Sequence, residues 1–330
     1  MMAAAYPILV ADIGGTNARF GLVHAAGAMP SDVRKLPGEN YSCLSDALKE
    51  YLRSVGGERP RRGCIAVAGP VEEGHFILTN RPSWSTPLAP LAREYRLDRL
   101  EVINDFQALA AALPFIETGE IRPIGEPLRG EAAAPRAVVG PGTGLGVGAV
   151  VKTPLGWKAL PGEGGHVELA SADPRGRAAI AAAGAASGRV SAERFLSGPG
   201  LELLHVVLGE VDGRPRGRLD ASQIHERATV GDREALDTVA TFWLLLAGFA
   251  GDVALMFGAR GGVFLAGGVA ARLFPLLDHK AFRAAFMNKG RLKPYLAAVP
   301  ASLIAADTLA LRGCAAHLDS AAGARSGTDA

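Results

Sequence analysis

The chain has 330 residues, and its 35 Lys and Arg against 33 Asp and Glu give a net charge of +2. That balance leaves no global field to hold DNA, RNA or an anionic membrane, and a hydrophobic content of 48% excludes a mostly disordered chain. The length fits two or three domains. Three isolated cysteines, Cys43, Cys64 and Cys314, match no zinc spacing and read as reduced thiols of a cytosolic protein.

The opening residues 1–11 are apolar, but they lack a basic leading region and run straight into Asp12, unlike a signal peptide. Apolar runs at 6–11 and 18–24 flank Asp12-Ile13-Gly14-Gly15-Thr16-Asn17, the pattern of two strands joined by a glycine turn. Leu44, Ala47, Leu48, Tyr51 and Leu52 recur at helical spacing over 42–54. A turn at 59–63 precedes a buried-strand run from Cys64 to Ala68, which Gly69-Pro70 ends. A helix is expected over 87–96, a strand over 100–104, and a short helix from Phe106 that Pro114 stops. This alternation favours an α/β layer with parallel strands. Residues 137–151 then repeat strand, glycine turn and strand about 130 residues further on, a hint of internal duplication that so short a match leaves open. An apolar helix is expected near 233–257. Its greasiest part stops at Asp252, short of the roughly 20 residues of a membrane span, and reads as a buried core helix. Next come a strand at 262–266 and a helix opened by Gly267-Gly268, and the small, polar tail 320–330 is expected to fray.

Convergent backbone N–H groups bind phosphate, and glycine permits the close approach. The turn at Asp12–Thr16 adds a hydroxyl for a phosphate oxygen and a carboxylate able to hold Mg²⁺ through its waters; Gly142-Thr143-Gly144 offers the same kit without the acid. Either alone reads rather as an ordinary tight hairpin, since glycine-rich hairpins are common. No glycine precedes a lysine, so there is no P-loop. Gly144 to Ala149 fits the spacing of a dinucleotide fingerprint, but Val150-Val151 continues it as a strand where that fingerprint opens a helix. A Gly-X-Ser-X-Gly nucleophile is absent.

Asn104-Asp105 stands where an apolar strand gives way to a helix, the end at which α/β proteins place ligands. Asp105 there can accept a proton from an attacking hydroxyl, or simply cap the helix. Glu163 and His166 sit on a glycine-rich loop that could aim both at a polyol; a surface loop is the plain alternative, and a metal pair of His166 with Glu168 is weaker. Glu193, on an apolar segment before a Gly198-Pro199 break, reads by itself as a solvated acid. Together the pieces suit a cleft with a nucleotide on one wall and a polyol on the other.

Ala11-Asp12-Ile13-Gly14-Gly15-Thr16-Asn17-Ala18-Arg19 resembles the first phosphate motif of bacterial glucokinases, in the sugar kinase and actin-like ATPase superfamily. Ile103 to Phe106, Gly142 to Gly146, Leu160 to His166, Ser191 to Arg194, Leu196 to Gly200 and Gly261 to Gly268 resemble that family's further blocks, in its order, and residues 282–286 and 289–291 extend the likeness. The resemblance implies an α/β fold of two ribonuclease-H-like domains with an interdomain cleft, the actin-like ATPase or hexokinase fold. The domains would be 1–115 plus 306–330 and 116–305, the C-terminal helix crossing back to the first. It implies a cytoplasmic, ATP-dependent glucokinase making glucose 6-phosphate in glycolysis. Asp105 would be the base, and Asn104, Asp105, Glu163, His166 and Glu193 would hold glucose. Ala11, Asp12, Ile13, Gly14, Gly15 and Thr16, with Gly142, Thr143, Gly144, Gly267 and Gly268, would face ATP, and Asp12 would face Mg²⁺.

The same resemblance implies a homodimer, with no nucleic-acid or membrane partner. Trp84 stands one place later than the family pattern, in a sugar-side loop, and Pro141 replaces a more usual small residue in a phosphate loop. Two other readings keep the scaffold: a kinase for another hexose or phosphoryl donor, and a non-catalytic sugar-sensing regulator. The latter needs a DNA-binding segment. A first strand near Tyr6 is expected to leave no room for one before it, and the tail carries no basic helix.

Overall fold

The computed structural model describes residues 6–56, 59–69, 71–72, 75–76, 78 and 81–325. Residues 1–5, Pro70, Thr79-Asn80 and 326–330, on which parts of the sequence reading fall, lie outside the described residues. The chain forms two compact units, one of residues 1–116, 150–161 and 306–330, the other of 117–149 and 162–305. The segment 150–161, which the sequence assigns to the larger domain, groups with the first unit.

The first unit is built on a five-stranded sheet. Ile8–Ile13 pairs antiparallel with Asn17–Val23, which pairs antiparallel with Ser31–Pro37. On its other side Ile8–Ile13 runs parallel to Arg62–Val67, which runs parallel to Arg99–Asn104. Successive strand side chains alternate between faces. Leu9, Ala11 and Ile13 therefore join one core with Leu44, Leu48 and Tyr51 of helix Leu44–Val55. Ile8 and Val10 join the other core, with Leu311, Cys314 and Leu318 of the C-terminal helix Leu309–Arg325. A strand covered on both faces reads as an unbroken apolar run, which is why 6–11 shows no alternation. The C-terminal helix does return to the first unit. It continues to Arg325, past the expected fraying point at 320, through an alanine-rich stretch that favours helix.

The sheet that holds the second glycine turn has the order Gly156–Leu160, Leu145–Thr153, Arg136–Pro141, Gly262–Leu265, Ala301–Ile304, Ile121–Pro123. Its first five strands repeat the order of the first sheet, so the duplication hinted at by the two glycine hairpins is present at the level of topology. Arg233–Phe257 is a core helix: it is long and apolar enough to cross a membrane, but 67% of its apolar window is buried inside the protein. Features unread in the sequence include a small sheet of Val71–Glu72, His75–Phe76 and Thr86–Pro87, the strands Ser31–Pro37, Gly156–Leu160 and Ala301–Ile304, and the helices Pro174–Ser187, Ala221–Thr229 and His279–Met287. The Gly198-Pro199-Gly200 segment, read as a break, instead opens helix Gly198–Val211. Ser197 caps it by accepting the Gly200 N–H, and Pro199 sits in the first turn, where its missing N–H costs nothing.

Candidate active site

In the first unit the strand register decides the geometry. Ile13, Val67 and Asn104 are aligned across three parallel strands, so the turn after Ile13 and the helix after Asn104 leave the same edge of the sheet. With strands about 4.8 Å apart, the two strand ends lie roughly 10 Å from each other. The Gly14 N–H donates to the Asn17 carbonyl at 3.0 Å and the Gly38 N–H to the Thr16 carbonyl at 2.9 Å, which fixes the turn and leaves Gly15 and Thr16 exposed. Ala11 and Ile13 are fully buried, so any contact they make with a phosphate is through the backbone.

Asp12 lies directly opposite Arg19 across the hairpin, and Arg19 Nη1 approaches its Oδ2 at 3.3 Å. Burial raises the Asp12 carboxyl above its ordinary range, and Arg19 pulls against that shift. No group of three or more His, Cys, Asp and Glu occurs among the described residues. A single carboxylate beside an exposed turn fits Mg²⁺ held mainly by waters and phosphate oxygens, as this cation prefers, and does not fit an all-protein cage.

Asp105 is the first residue of helix Asp105–Ala112, and the capping falls to its neighbour. Asn104 Oδ1 accepts the Phe106 N–H at 2.9 Å and the Gln107 N–H at 3.3 Å. Asp105 Oδ1 accepts the Phe106 N–H at 2.9 Å. The helix rests on the C-terminal helix, with Ala108 against Gly313. Trp84 is buried in the first core and donates from its indole to the Tyr41 carbonyl at 3.2 Å.

In the second unit Gly142, Thr143 and Gly144 join strand Arg136–Pro141 to Leu145–Thr153, and the Gly142 N–H closes the turn on the Gly144 carbonyl at 2.8 Å. Pro141 ends its strand buried. Gly267, at φ +87°, packs where a Cβ would overlap the Pro141 carbonyl, so this position requires glycine. Gly267 and Gly268 are exposed beside the turn and open helix Gly268–Leu273. Glu163 and His166 flank a single helical turn, with their side chains 76% and 59% exposed and 3.9 Å apart. The loop is pinned from outside. Arg189 donates to the His166 carbonyl and lies 3.8 Å from Glu168. Glu193 is not the solvated acid its sequence context suggests: its Oε2 accepts the Leu145 N–H at 2.8 Å.

The first unit therefore gathers Asp12 to Thr16 with Asn104 and Asp105, and the second gathers Gly142 to Gly144 with Glu193, Gly267 and Gly268, the Glu163–His166 loop packing on strand Leu145–Thr153. Sequence reasoning missed four residues that shape these sites: Arg19, Arg189, Leu145 and Gly198, whose N–H donates to the Gly142 carbonyl at 2.8 Å. Arg19 was findable as the cross-strand partner of Asp12, and Ser197-Gly198-Pro199 as a helix start. The other two act through long-range contacts without a local signal.

The family model for glucokinase matches residues 9–321. A glucokinase of Aromatoleum aromaticum is 41% identical over 98% of each chain, and one of Caulobacter vibrioides is 42% identical over 94% of each. The crystal structure of a glucokinase from an Antarctic psychrotroph superposes with a TM-score of 0.87 at 36% identity, covering 94% of this chain and 98% of that one. The fold these neighbours share is the actin-like ATPase fold.

Proposed function

The chain belongs to the glucokinase family and transfers a phosphoryl group from ATP to glucose. On that premise we propose that Asp105 is the general base, taking the proton of the glucose C6 hydroxyl as it attacks the γ-phosphorus. The observation that carries this reading is the register of Ile13, Val67 and Asn104, which puts a phosphate-type turn and a helix-leading aspartate at one sheet edge. Phosphoryl transfer asks mainly for positioning and charge neutralisation. Asn104 holds the first turn of the base-bearing helix and offers its amide to the sugar. Glu163, His166 and Glu193 take the remaining hydroxyls. Backbone N–H groups of Gly15 and Thr16, and of Thr143 and Gly144, receive the ATP phosphates, the N–H groups of Gly14 and Gly142 being used to close the two turns, and Gly267 and Gly268 lie against the nucleoside. Asp12 would hold Mg²⁺, which supplies charge neutralisation on the phosphate oxygens when bound. Removal of the proton by a positioned base contributes roughly 10²–10⁴-fold.

Free Cys43, Cys64 and Cys314 support a reducing, cytoplasmic setting. The homodimer rests on the family resemblance alone, and sedimentation of the purified chain tests it. The assay for the whole reading is sugar-dependent ADP release with MgATP, comparing glucose with mannose, fructose and N-acetylglucosamine. Glucose should give the largest kcat/KM. A higher value with another hexose would move the assignment to that sugar.

A further inference from the structure

We propose that Glu193 does two jobs: besides holding the sugar, it latches the phosphate turn Gly142–Gly144, so that one carboxylate couples the sugar and nucleotide sites. The proposal rests on the sugar role given to Glu193 above, and its test separates the two.

Four contacts within the second unit carry it. Leu145 comes directly after the turn, and its N–H points into the Glu193 carboxylate, Oε2 at 2.8 Å. Gly144 has no side chain where that carboxylate lies: a Cβ there would stand 2.5 Å from Oε2. The segment bearing Glu193 grips the other end of the turn as well, through the Gly198 N–H on the Gly142 carbonyl at 2.8 Å. It is also tied to the sugar loop, because the Ala192 N–H donates to the Val167 carbonyl at 2.8 Å.

The carboxylate has two oxygens and about four acceptor sites. The Leu145 N–H uses one of them, and sugar hydroxyls can take the rest. A sugar that fixes the Glu193 rotamer thereby fixes the Leu145 N–H, and with it the turn whose N–H groups meet the phosphates. Linkage makes the effect reciprocal, so a held turn presents the carboxylate ready for sugar. The sugar loop adds to the coupling, since Gly165 packs directly on the Leu145 carbonyl and leaves no room for a Cβ.

The test uses the full chain and two probes, glucose alone and Mg²⁺ with the non-hydrolysable ATP analogue AMP-PNP, each by calorimetry. Gly144→Ala keeps every backbone donor of the phosphate turn but pushes the Glu193 carboxylate aside. It should weaken glucose binding, measured without nucleotide, about tenfold, the scale of one hydrogen bond to a charged group. Adding it to Glu193→Ala should cost nothing further. Glu193→Ala should weaken AMP-PNP about tenfold in the absence of any sugar, a loss that a residue touching only sugar would not cause. Thermal melting of each variant reports whether it folds, and the AMP-PNP result with Glu193→Ala stands even where Gly144→Ala does not fold. Unchanged AMP-PNP affinity in Glu193→Ala, with glucose binding lost, overturns the latch and leaves the sugar role standing. Unchanged glucose affinity in Glu193→Ala removes the sugar role and the proposal together.

Discussion

Gly313 is remote from the proposed chemistry in sequence, yet it sets where Asp105 sits. The helices Asp105–Ala112 and Leu309–Arg325 approach so closely that a Cβ on Gly313 would overlap the Ala108 carbonyl oxygen and stand 2.6 Å from its carbon. The obstacle is backbone, so it cannot yield by a rotamer change. Restoring van der Waals separation requires the helices to part by about 1.5 Å. Overpacking of this kind costs about 3 kcal/mol, and in a unit of this size that lowers Tm by about 6–12 °C. Ala108 is one turn from Asp105, so the base moves with it, and a misplacement of about 1 Å is worth roughly 10²-fold in rate. Gly313→Ala should therefore lower both Tm, read by calorimetry, and kcat, read by glucose-dependent ADP release. The comparison variant is Gly248→Ala in helix Arg233–Phe257, where a Cβ meets nothing within 4 Å. That variant should gain about 0.5–1 kcal/mol from reduced backbone freedom and keep its kcat. A Gly313→Ala protein with unaltered Tm and kcat would refute the close-approach argument.

Two other contacts around the site carry expected outcomes. The Glu101 carboxyl is held down at about 2, chiefly by its hydrogen bond with His317 on the C-terminal helix and then by Arg99. A carboxyl lowered on folding stabilises the protein above its unfolded value of 4.5 and loses that contribution as pH falls toward 2, at most about 3 kcal/mol from this group. His317→Ala should lower stability at pH 7 and flatten its dependence on pH between 5 and 2 in urea titrations; an unchanged slope contradicts the pairing. Arg189→Ala releases the carbonyl of His166 and so loosens the Glu163–His166 loop. It should raise the glucose KM about three- to tenfold with little effect on kcat, and equal losses in both constants would contradict a purely positional role.

The extent to which the site was legible depended on the range of the interactions. The two glycine hairpins, the strand-end pair Asn104-Asp105 and the core helix Arg233–Phe257 are local patterns, and each stands where the sequence indicates. What the sequence left ambiguous was the division of labour between Asn104 and Asp105, since either can cap a helix. The structure gives the cap to Asn104, whose Oδ1 meets two N–H groups. Glu193 was misread because its partner, the Leu145 N–H, lies 48 residues away and a backbone donor leaves no trace in residue type. The Ser197–Gly200 break was misjudged by weighing glycine and proline as stops when Ser before Gly-Pro is a helix start. The placement of 150–161 results from packing of Gly156–Leu160 against the helices Asp105–Ala112 and Leu309–Arg325, a tertiary contact that no local periodicity encodes.

Turnover depends on Asp105 as the group that accepts the sugar proton. The direct measurement is the turnover of Asp105→Asn in glucose-dependent ADP release, with glucose affinity measured in parallel. Asparagine preserves the shape and the hydrogen bond to the Phe106 N–H but cannot take the proton. Glucose binding should stay within a few-fold while kcat falls by roughly 10²–10⁴-fold. A kcat near that of the unmodified chain would contradict the assignment.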